Sequence, residues 1–522
     1  MSSFLFSLFL LSLYIISVQG VTYYVSSSYG NDNNNGQSST TPFQSLEKVS
    51  SISSSLVAGD SILLYATDTW TIDYGWNLTS MAGIASNPIT ISAYYLNASI
   101  TEVERPLIQR NPNVFAIGPT ILISNSTGII VESIAVKSGE NGIAFVWDIV
   151  NNQPTTYDSV IVRDCAFFDI QGLFYNGTSG NWWGSAVAFA AAHWLVTVTN
   201  VAIYNNICNN SDTFYINSVP WEPGLWTRAY ISHLYLGNNT ITTASFNTVF
   251  LDTTDYFMIT GNVFLRNTPS KLFLYGTTDI IMGTVNSSNK LIDNEIGFRG
   301  EYQPGGPDGC AVDFETSATG VQFAENYVHH SFGAGIMVFG HQTTSENLIF
   351  NDNRMLWNGC NQTRTDQGNI AFLHLNSSGT IYNNVFTPCP NNTPPVFNPL
   401  QPSVLDNWTI YNNIIDGQNG TVHVLLTPIV TQTITKDGKI NIQVLNPNDQ
   451  QSTVVYYTIN GSKPRNDSLI FPSNGNLIVP PRALSFMVKV FPTQQYVEMM
   501  NEQGVTVVES AAEGGIYAVQ QY

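Results

Sequence analysis

Charge is the first thing this chain has little of. Only 11% of its 522 residues are Asp, Glu, Lys or Arg, and 18 Lys and Arg against 37 Asp and Glu leave a formal net charge of −19. So few cations are poorly suited to build the basic patches that nucleic acid or an anionic membrane surface would require, and both are disfavoured as partners. A polyanionic sugar chain is disfavoured on the same ground unless a cation bridges it. Long apolar runs are also missing. Beyond the first twenty residues, no stretch approaches the roughly 20 apolar residues that span a bilayer. The tail from Ile516 to Tyr522 lacks the hydrophobic segment of a lipid-anchor signal. Residues 1–20 are almost all apolar or Ser and close on Val18-Gln19-Gly20, which reads as a signal peptide and makes a secreted, extracellular protein the expectation. Triplets of the form Asn-x-Ser/Thr, as at Asn77, Asn209 and Asn407, suit a glycoprotein. Cysteine is scarce, with five residues and no zinc-site spacing. In an oxidising compartment Cys165 can pair with Cys208, and Cys360 with Cys389, leaving Cys310 over.

What the chain has in abundance is one phrase: apolar, two residues, Asn, one residue, apolar. It reads Ile203-Tyr-Asn-Asn206-Ile-Cys208, Leu236-Gly-Asn-Asn239-Thr-Ile241 and Ile259-Thr-Gly-Asn262-Val-Phe264, and returns around Asn294, Asn326, Asn353, Asn384 and Asn413. Copies without the Asn sit at Cys165 and Ile134. From 134 to 413 the steps are 31, 41, 33, 23, 32, 32, 27, 31 and 29 residues. Self-similarity at such a period marks a solenoid, whose coils bury their apolar faces only against their neighbours.

Ahead of the repeats, Thr22-Tyr-Tyr-Val-Ser predicts a strand. Apolar residues at Phe43, Leu46, Val49 and Ile52 predict a short helix, with Thr41 as its cap and Pro42 at its first position. Strand and helix together suit a cap over the end of a solenoid. The segment from Tyr23 to Tyr65, followed by the Asn turns, resembles the right-handed parallel β-helix proteins of the pectate-lyase-like superfamily. The resemblance covers residues 21–425 and implies an all-β solenoid with an Asn ladder at one turn of every coil.

After Asn413 the repeats stop. Val454-Val-Tyr-Tyr-Thr-Ile-Asn-Gly461-Ser-Lys-Pro464, followed by Ser485-Phe-Met-Val-Lys-Val490, resembles the small β-sandwich at the C-terminus of chitobiases, with Asn460-Gly461 as a hairpin turn. Residues 426–522 are therefore expected to form a separate accessory module without catalytic groups.

Alternation along the strand that follows each Asn coil indicates which side chains face out. Cys310, Val312 and Phe314 are expected inward, so Asp313 and Glu315 share the outer face with α-carbons roughly 6.5–7 Å apart. In the same way Phe339 and His341, then Phe372 and His374, are expected outward, as are Asp252 and Tyr275 with Phe250 and Phe273. Asp308 stands just ahead, in the turn Pro304-Gly-Gly-Pro-Asp308. This column mixes carboxylates, histidines and rings as a groove for a sugar chain would. Two carboxylates on one face can serve as acid and base, or as acid and nucleophile, in glycoside hydrolysis. The bland alternative is a solvated outer face with loop-covered aromatics.

The expectation is a secreted, monomeric carbohydrate-active protein, acting as a glycoside hydrolase on a neutral or weakly charged polysaccharide. Asp313 and Glu315 are the candidate catalytic carboxylates and His341 the group that tunes them. Asp252, Tyr275, Asp308, Phe339, Phe372 and His374 are candidate substrate contacts. A non-catalytic glycan-binding or adhesive rod is the alternative, and a polysaccharide lyase the third. Lyases of β-helix families resemble one another in using a Lys or Arg base, often with calcium, and the coils here hold few lysines. Polygalacturonase-like enzymes carry paired Asp and Gly-His-Gly, matched here only by Gly340-His341. Trp182, Trp183, Trp221 and Trp226 fall in insertions, where they can stack on sugar or anchor a loop. His329-His330 is expected to stabilise the Asn326 turn. No cofactor or resident metal is expected. Asp32 among its Asn neighbours could bind calcium, but an Asx-turn cluster is the preferred account.

Overall fold

The computed structural model describes residues 20–96, 104–113, 118–171, 184–222, 225–242, 247–266, 280–283, 285–286, 288–298, 309–339, 344–360, 367–389, 395–415, 421–426, 428–434, 440–459, 463–479, 486–503, 505–510 and 512–515. Three long parallel sheets run its length. Sheet I extends from Thr22–Val25 to Trp408–Tyr411, sheet II from Thr69–Ile72 to Ile414–Ile415, and sheet III from Trp76–Thr79 to Phe397–Pro399. One coil shows the plan. Thr155–Arg163 lies in sheet I, Ala166–Phe168 in sheet II and Ser185–Ala191 in sheet III, before Val196–Tyr204 returns to sheet I. The result is the expected right-handed parallel β-helix. Its interior is a stack of apolar rungs, among them Phe145 and Phe189 with ring centres 5.2 Å apart.

The repeated Asn makes the turn from sheet I to sheet II. From Asn206 to Asn384 each is buried, Asn413 at the end being partly exposed, and from Asn239 onward each side-chain oxygen accepts the backbone N–H of the Asn one coil earlier. Asn239 Oδ1 accepts from Asn206 N at 3.0 Å, Asn262 from Asn239 at 2.9 Å and Asn294 from Asn262 at 3.1 Å. The chain of bonds continues through Asn326, Asn353 and Asn384 to Asn413. Each Nδ2 also donates to a carbonyl of the neighbouring coil, as Asn294 does to Ile259 O at 2.9 Å. The residue before each Asn takes a left-handed conformation, for example Asn205 at φ 56°, Gly261 at 66° and Asp293 at 58°. Asn, Asp and Gly tolerate that region best, which explains their frequency there.

At the N-terminal end the helix spans Leu46–Ile52, and Ser45 rather than Thr41 caps it by accepting the Lys48 N–H at 3.1 Å. Asp32 decides the start: its carboxylate takes the backbone N–H of Gln44 and Ser45 and the Ser45 hydroxyl, at 2.8, 2.9 and 2.6 Å. An anion there also suits the helix dipole. Leu46 and Val49 are buried against the first coils.

The cysteines correct one expectation. Cys360 and Cys389 form a disulfide, whereas Cys165 and Cys208 are free and buried. Cys165 holds the Asn position, taking its N–H to Asn206 Oδ1, while Cys208 is in register with Phe167 two residues later. The two thiols are out of phase, so they do not face each other.

Beyond the solenoid, two antiparallel sheets face one another. One holds Ile429–Ile434, Ile440–Leu445 and Asn476–Val479. The other holds Thr453–Thr458, Leu469–Ile470, Phe486–Pro492 and Glu513–Gly515. Ile442, Val444, Phe471, Phe486 and Val488 fill the space between them. A helix at Gln494–Glu502, unforeseen in the sequence, is capped by Thr493. The Asn460-Gly461 turn lies outside the described residues. This C-terminal unit rests on the outer face of sheet II, where Met487 and Ala512 pack on Val263 and Leu265. Among the described residues, no helix is long and apolar enough to cross a membrane.

Candidate functional site on the outer face of sheet III

With the C-terminal unit on sheet II, the carboxylates of interest lie on another wall, the outer face of sheet III. Register defines two columns there. Asp313 is paired with Ile281 and Met337, and Met337 with Ala371. One residue beyond the neighbouring core column of Leu251, Met282, Phe314, Val338 and Phe372 come Asp252, Gly283, Glu315, Phe339 and Leu373. The backbone continues pairing at these positions. Gly283 N donates to Leu251 O at 2.7 Å, Glu315 N to Met282 O at 3.0 Å and Phe339 N to Phe314 O at 3.1 Å.

Three carboxylates therefore occupy two rungs, Asp252 on one and Asp313 with Glu315 on another, with the Gly283 rung between them. Asp313 is only 1% exposed, Asp252 is 6% exposed and Glu315 is partly open to solvent. Asp252 and Glu315 stand two rungs apart, about 9–10 Å between α-carbons at ~4.8 Å per rung. Gly283 fills the rung between them. A Cβ built on Gly283 would meet Asp252 Oδ1 at 3.0 Å, so the Asp252 carboxylate leans over that empty position toward the Glu315 rung. Asn217 fixes the Asp252 backbone, accepting its N–H at 2.7 Å and donating to its carbonyl. Neither Gly283 nor Asn217 was singled out from the sequence. The signal for Gly283 was present as the small residue closing Ile280-Ile-Met-Gly283, but its meaning depends on which carboxylates flank it.

Apolar groups frame the carboxylates. On one side Phe339 and Leu373 pack on Cys310, Ala334, Met337 and Ala371. On the other, Phe250 packs on Ala144, Ala188, Ala190 and Ile216, and the antiparallel hairpin of Ser218–Glu222 with Leu225–Arg228 follows directly from that column. Cys310, expected inward, belongs to this outer cluster, because Ala311 and Val312 both enter the core and break the alternation.

Phe372 is a second correction. It is fully buried in the solenoid interior, its ring 5.0 Å from that of Trp408, and contacts nothing on the outer face. Ala371 and Leu373 take the outward positions, so the sequence count was one residue out of phase in that coil. His374 lies past the strand end in a turn, where its Nδ1 accepts the Asn376 N–H at 3.3 Å. Tyr275, Asp308 and His341, with Phe273, Trp182 and Trp183, lie outside the described residues. His329 serves another purpose than the Asn326 turn: it is fully buried and bonds Glu295 at 3.3 Å. Among the described residues, no group of three or more His, Cys, Asp or Glu is placed to hold a metal ion.

No family model matches the chain. It is 26% identical over 264 residues to a lacto-N-biosidase of Bifidobacterium longum subsp. longum, an alignment covering 42% of this chain and 15% of that enzyme's length. The structure is similar to that of a family GH136 lacto-N-biosidase from Eubacterium ramulus, with a TM-score of 0.51 and 17% identity over 78% of this chain and 69% of that one. The protein is a right-handed parallel β-helix, similar in part of its sequence and in its fold to lacto-N-biosidases.

Proposed function

We propose that this protein is a glycoside hydrolase that cleaves a neutral or weakly charged glycan on the outer face of sheet III. The observation that carries the reading is the gathering of Asp252, Asp313 and Glu315 around Gly283, between two apolar clusters. The likeness to lacto-N-biosidases supports the reaction class and makes β-linked lacto-N-biose the first glycone to test.

The chemistry needs one carboxyl to protonate the leaving oxygen and a second carboxylate to activate water or attack the anomeric carbon. Asp313, shielded from water, takes the acid role. Glu315, open to solvent, can hold the water and takes the role of base. Asp252, brought close by Gly283, steadies the positive charge that develops on the sugar ring. Phe339 and Phe250 offer ring faces to the sugar on either side. His341 and Asp308 remain proposed as contacts of the same site, and Tyr275 as a subsite ring.

The scarcity of basic residues supports a neutral substrate and disfavours a lyase, which needs a cationic base and acts on uronates. We place the enzyme outside the cell as a monomer, consistent with the apolar first twenty residues and the disulfide between Cys360 and Cys389. Screening glycans for released reducing ends is the test. Binding without turnover would favour a glycan-binding rod, and ultraviolet-absorbing unsaturated products a lyase.

A further inference from the structure

A second feature lies on a different wall of the prism. Sheet I bends at one position in successive coils, where a single residue adopts a left-handed conformation. The bend falls on Ser159 (φ 60°), Asn200 (56°), His233 (61°) and Tyr256 (54°), which register with one another. It recurs in later coils at Ser288 (56°), Gly320 (66°) and Asn347 (55°). Ser, Asn and Gly suit the position, since a small side chain or a local hydrogen bond lowers the cost of positive φ. Asn200 shows how: its Nδ2 donates to Asp158 Oδ1 at 2.7 Å. Histidine also tolerates the region, but a tyrosine does not suit it. In two adjacent coils the fold carries bulky rings where its own repeat uses small polar residues.

The rings do not compensate by burial. Tyr256 is 48% exposed and His233 is exposed. They stack face to face, with centres 5.0 Å apart and planes 12° from parallel, to form a two-ring stack in which each ring covers one face of the other and keeps its opposite face. Polar groups border it: Ser232 Oγ lies 3.0 Å from His233 Nδ1, and the Tyr230 hydroxyl donates to Asp255 Oδ2 at 2.7 Å. The hydrogen bond to Asp255 raises the Tyr230 phenol to about 12, so it stays a neutral donor through the ordinary pH range. Backbone strain retained at an exposed position is a reason to look for function there.

We infer that His233 and Tyr256 form a second, non-catalytic glycan-binding platform on sheet I, taking a neutral pyranose ring on the aromatic face, with Tyr230, Ser232 and Asp255 contacting its hydroxyls. The C–H face of a pyranose complements the electron-rich face of an aromatic ring, and flanking donors and acceptors select hydroxyls. The neighbouring Asp255 and the chain's net charge of −19 disfavour an anionic ligand. A platform one ring pair wide is too small for a protein partner. On an enzyme of the kind proposed above, such a platform would hold a glycan-bearing surface away from the catalytic face.

The test uses the full chain labelled with 13C-histidine, carrying Asp313→Asn to suppress turnover. The His233 ring Cε1–H signal is assigned by its absence in His233→Asn. Titration with lacto-N-biose, and separately with lactose and cellobiose, should shift that signal saturably with Kd on the order of 1 mM. In Tyr256→Asn the shift should weaken at least about tenfold, while Tm stays equal or rises, because Asn suits the bend better than Tyr. Two results would overturn the proposal. One is a His233 signal that none of the three sugars moves at tenfold higher concentration. The other is a Tyr256→Asn protein with lowered Tm, which would make the rings a packing device. Because the readout is binding at His233, it is independent of whether the sheet III site is catalytic.

Discussion

Glu295, from the second sheet of the solenoid, and Lys489, from the C-terminal unit, form an ion pair at 3.3 Å with both side chains fully buried. The same carboxylate accepts the Ala512 backbone N–H at 2.6 Å and bonds His329 at 3.3 Å, while Lys489 also stands 3.8 Å from Glu509 and over the Tyr327 ring. Around this centre Lys463 and Arg465 reach Asp293, and Arg354 pairs with Glu509. The C-terminal unit is thus bolted to the solenoid rather than tethered to it, and the rigid platform it creates is on sheet II, leaving sheet III clear.

Burial alone would raise the Glu295 carboxyl, but the Lys489 ammonium and the His329 hydrogen bond hold it well below the usual carboxylate range. A carboxyl lower in the folded than in the unfolded state contributes stability above the unfolded value, which is lost as pH falls through about 4 toward the folded one. Glu295→Gln should therefore cost about 3–5 kcal/mol at neutral pH, since it leaves the buried Lys489 charge with only its longer contact to Glu509. The loss should shrink on acidification below pH ~4. Denaturant melts of both proteins across pH check this.

Asn294→Ala should destabilise the solenoid by several kcal/mol. It removes the acceptor of Asn262 N and the donor to Ile259 O, and buried groups left unpaired cost about 1–3 kcal/mol each. Urea unfolding should show the loss, and hydrogen exchange should show faster opening at Asn262 N.

Phe339→Ala and Phe372→Ala should separate site from core. Phe372→Ala should cost about 3–5 kcal/mol of stability through the cavity it leaves. Phe339→Ala should cost less in melting and raise KM, because its ring lines the outer face.

Thiol titration should find three reactive groups in the denatured, unreduced chain and none that reacts quickly in the folded one. Cys165 and Cys208 are buried, and burial pushes both thiols up to about 12.

The Asn phrase made the solenoid, the number of repeating turns and the ladder legible, because one buried side chain per coil must satisfy the same backbone groups each time. It did not measure the loops between sheets II and III, whose lengths vary from coil to coil. The outward phase expected for Phe372 and His374 was therefore one residue out, and Phe372 instead stacks above Val338 in the core. The Cys165–Cys208 pairing failed through a slip of two residues. The strands of Asp313, Glu315, Asp252 and Phe339 lie in sheet III in the phase that alternation around Phe314, Leu251 and Val338 predicts. Glu295 and Lys489 were out of reach, as 194 residues separate them and only the docked C-terminal unit makes each the other's counter-ion. Gly283 carried meaning only once its two flanking rungs were known.

Gly283→Ala probes the geometry without removing a charge. The added methyl crowds Asp252 Oδ1, and a displacement on the order of 1 Å in such a site costs about a hundredfold in rate. The fold should be retained, since Gly283 has an ordinary backbone conformation.

The central claim is that the sheet III carboxylates cleave glycosides, and an aryl β-lacto-N-bioside tests it most directly. The wild-type protein should release the aryl group, and Asp313→Asn and Glu315→Gln should each lower kcat by about 10²–10⁴-fold with Tm unchanged within a few degrees. Wild-type turnover that both variants retain in full would contradict the account.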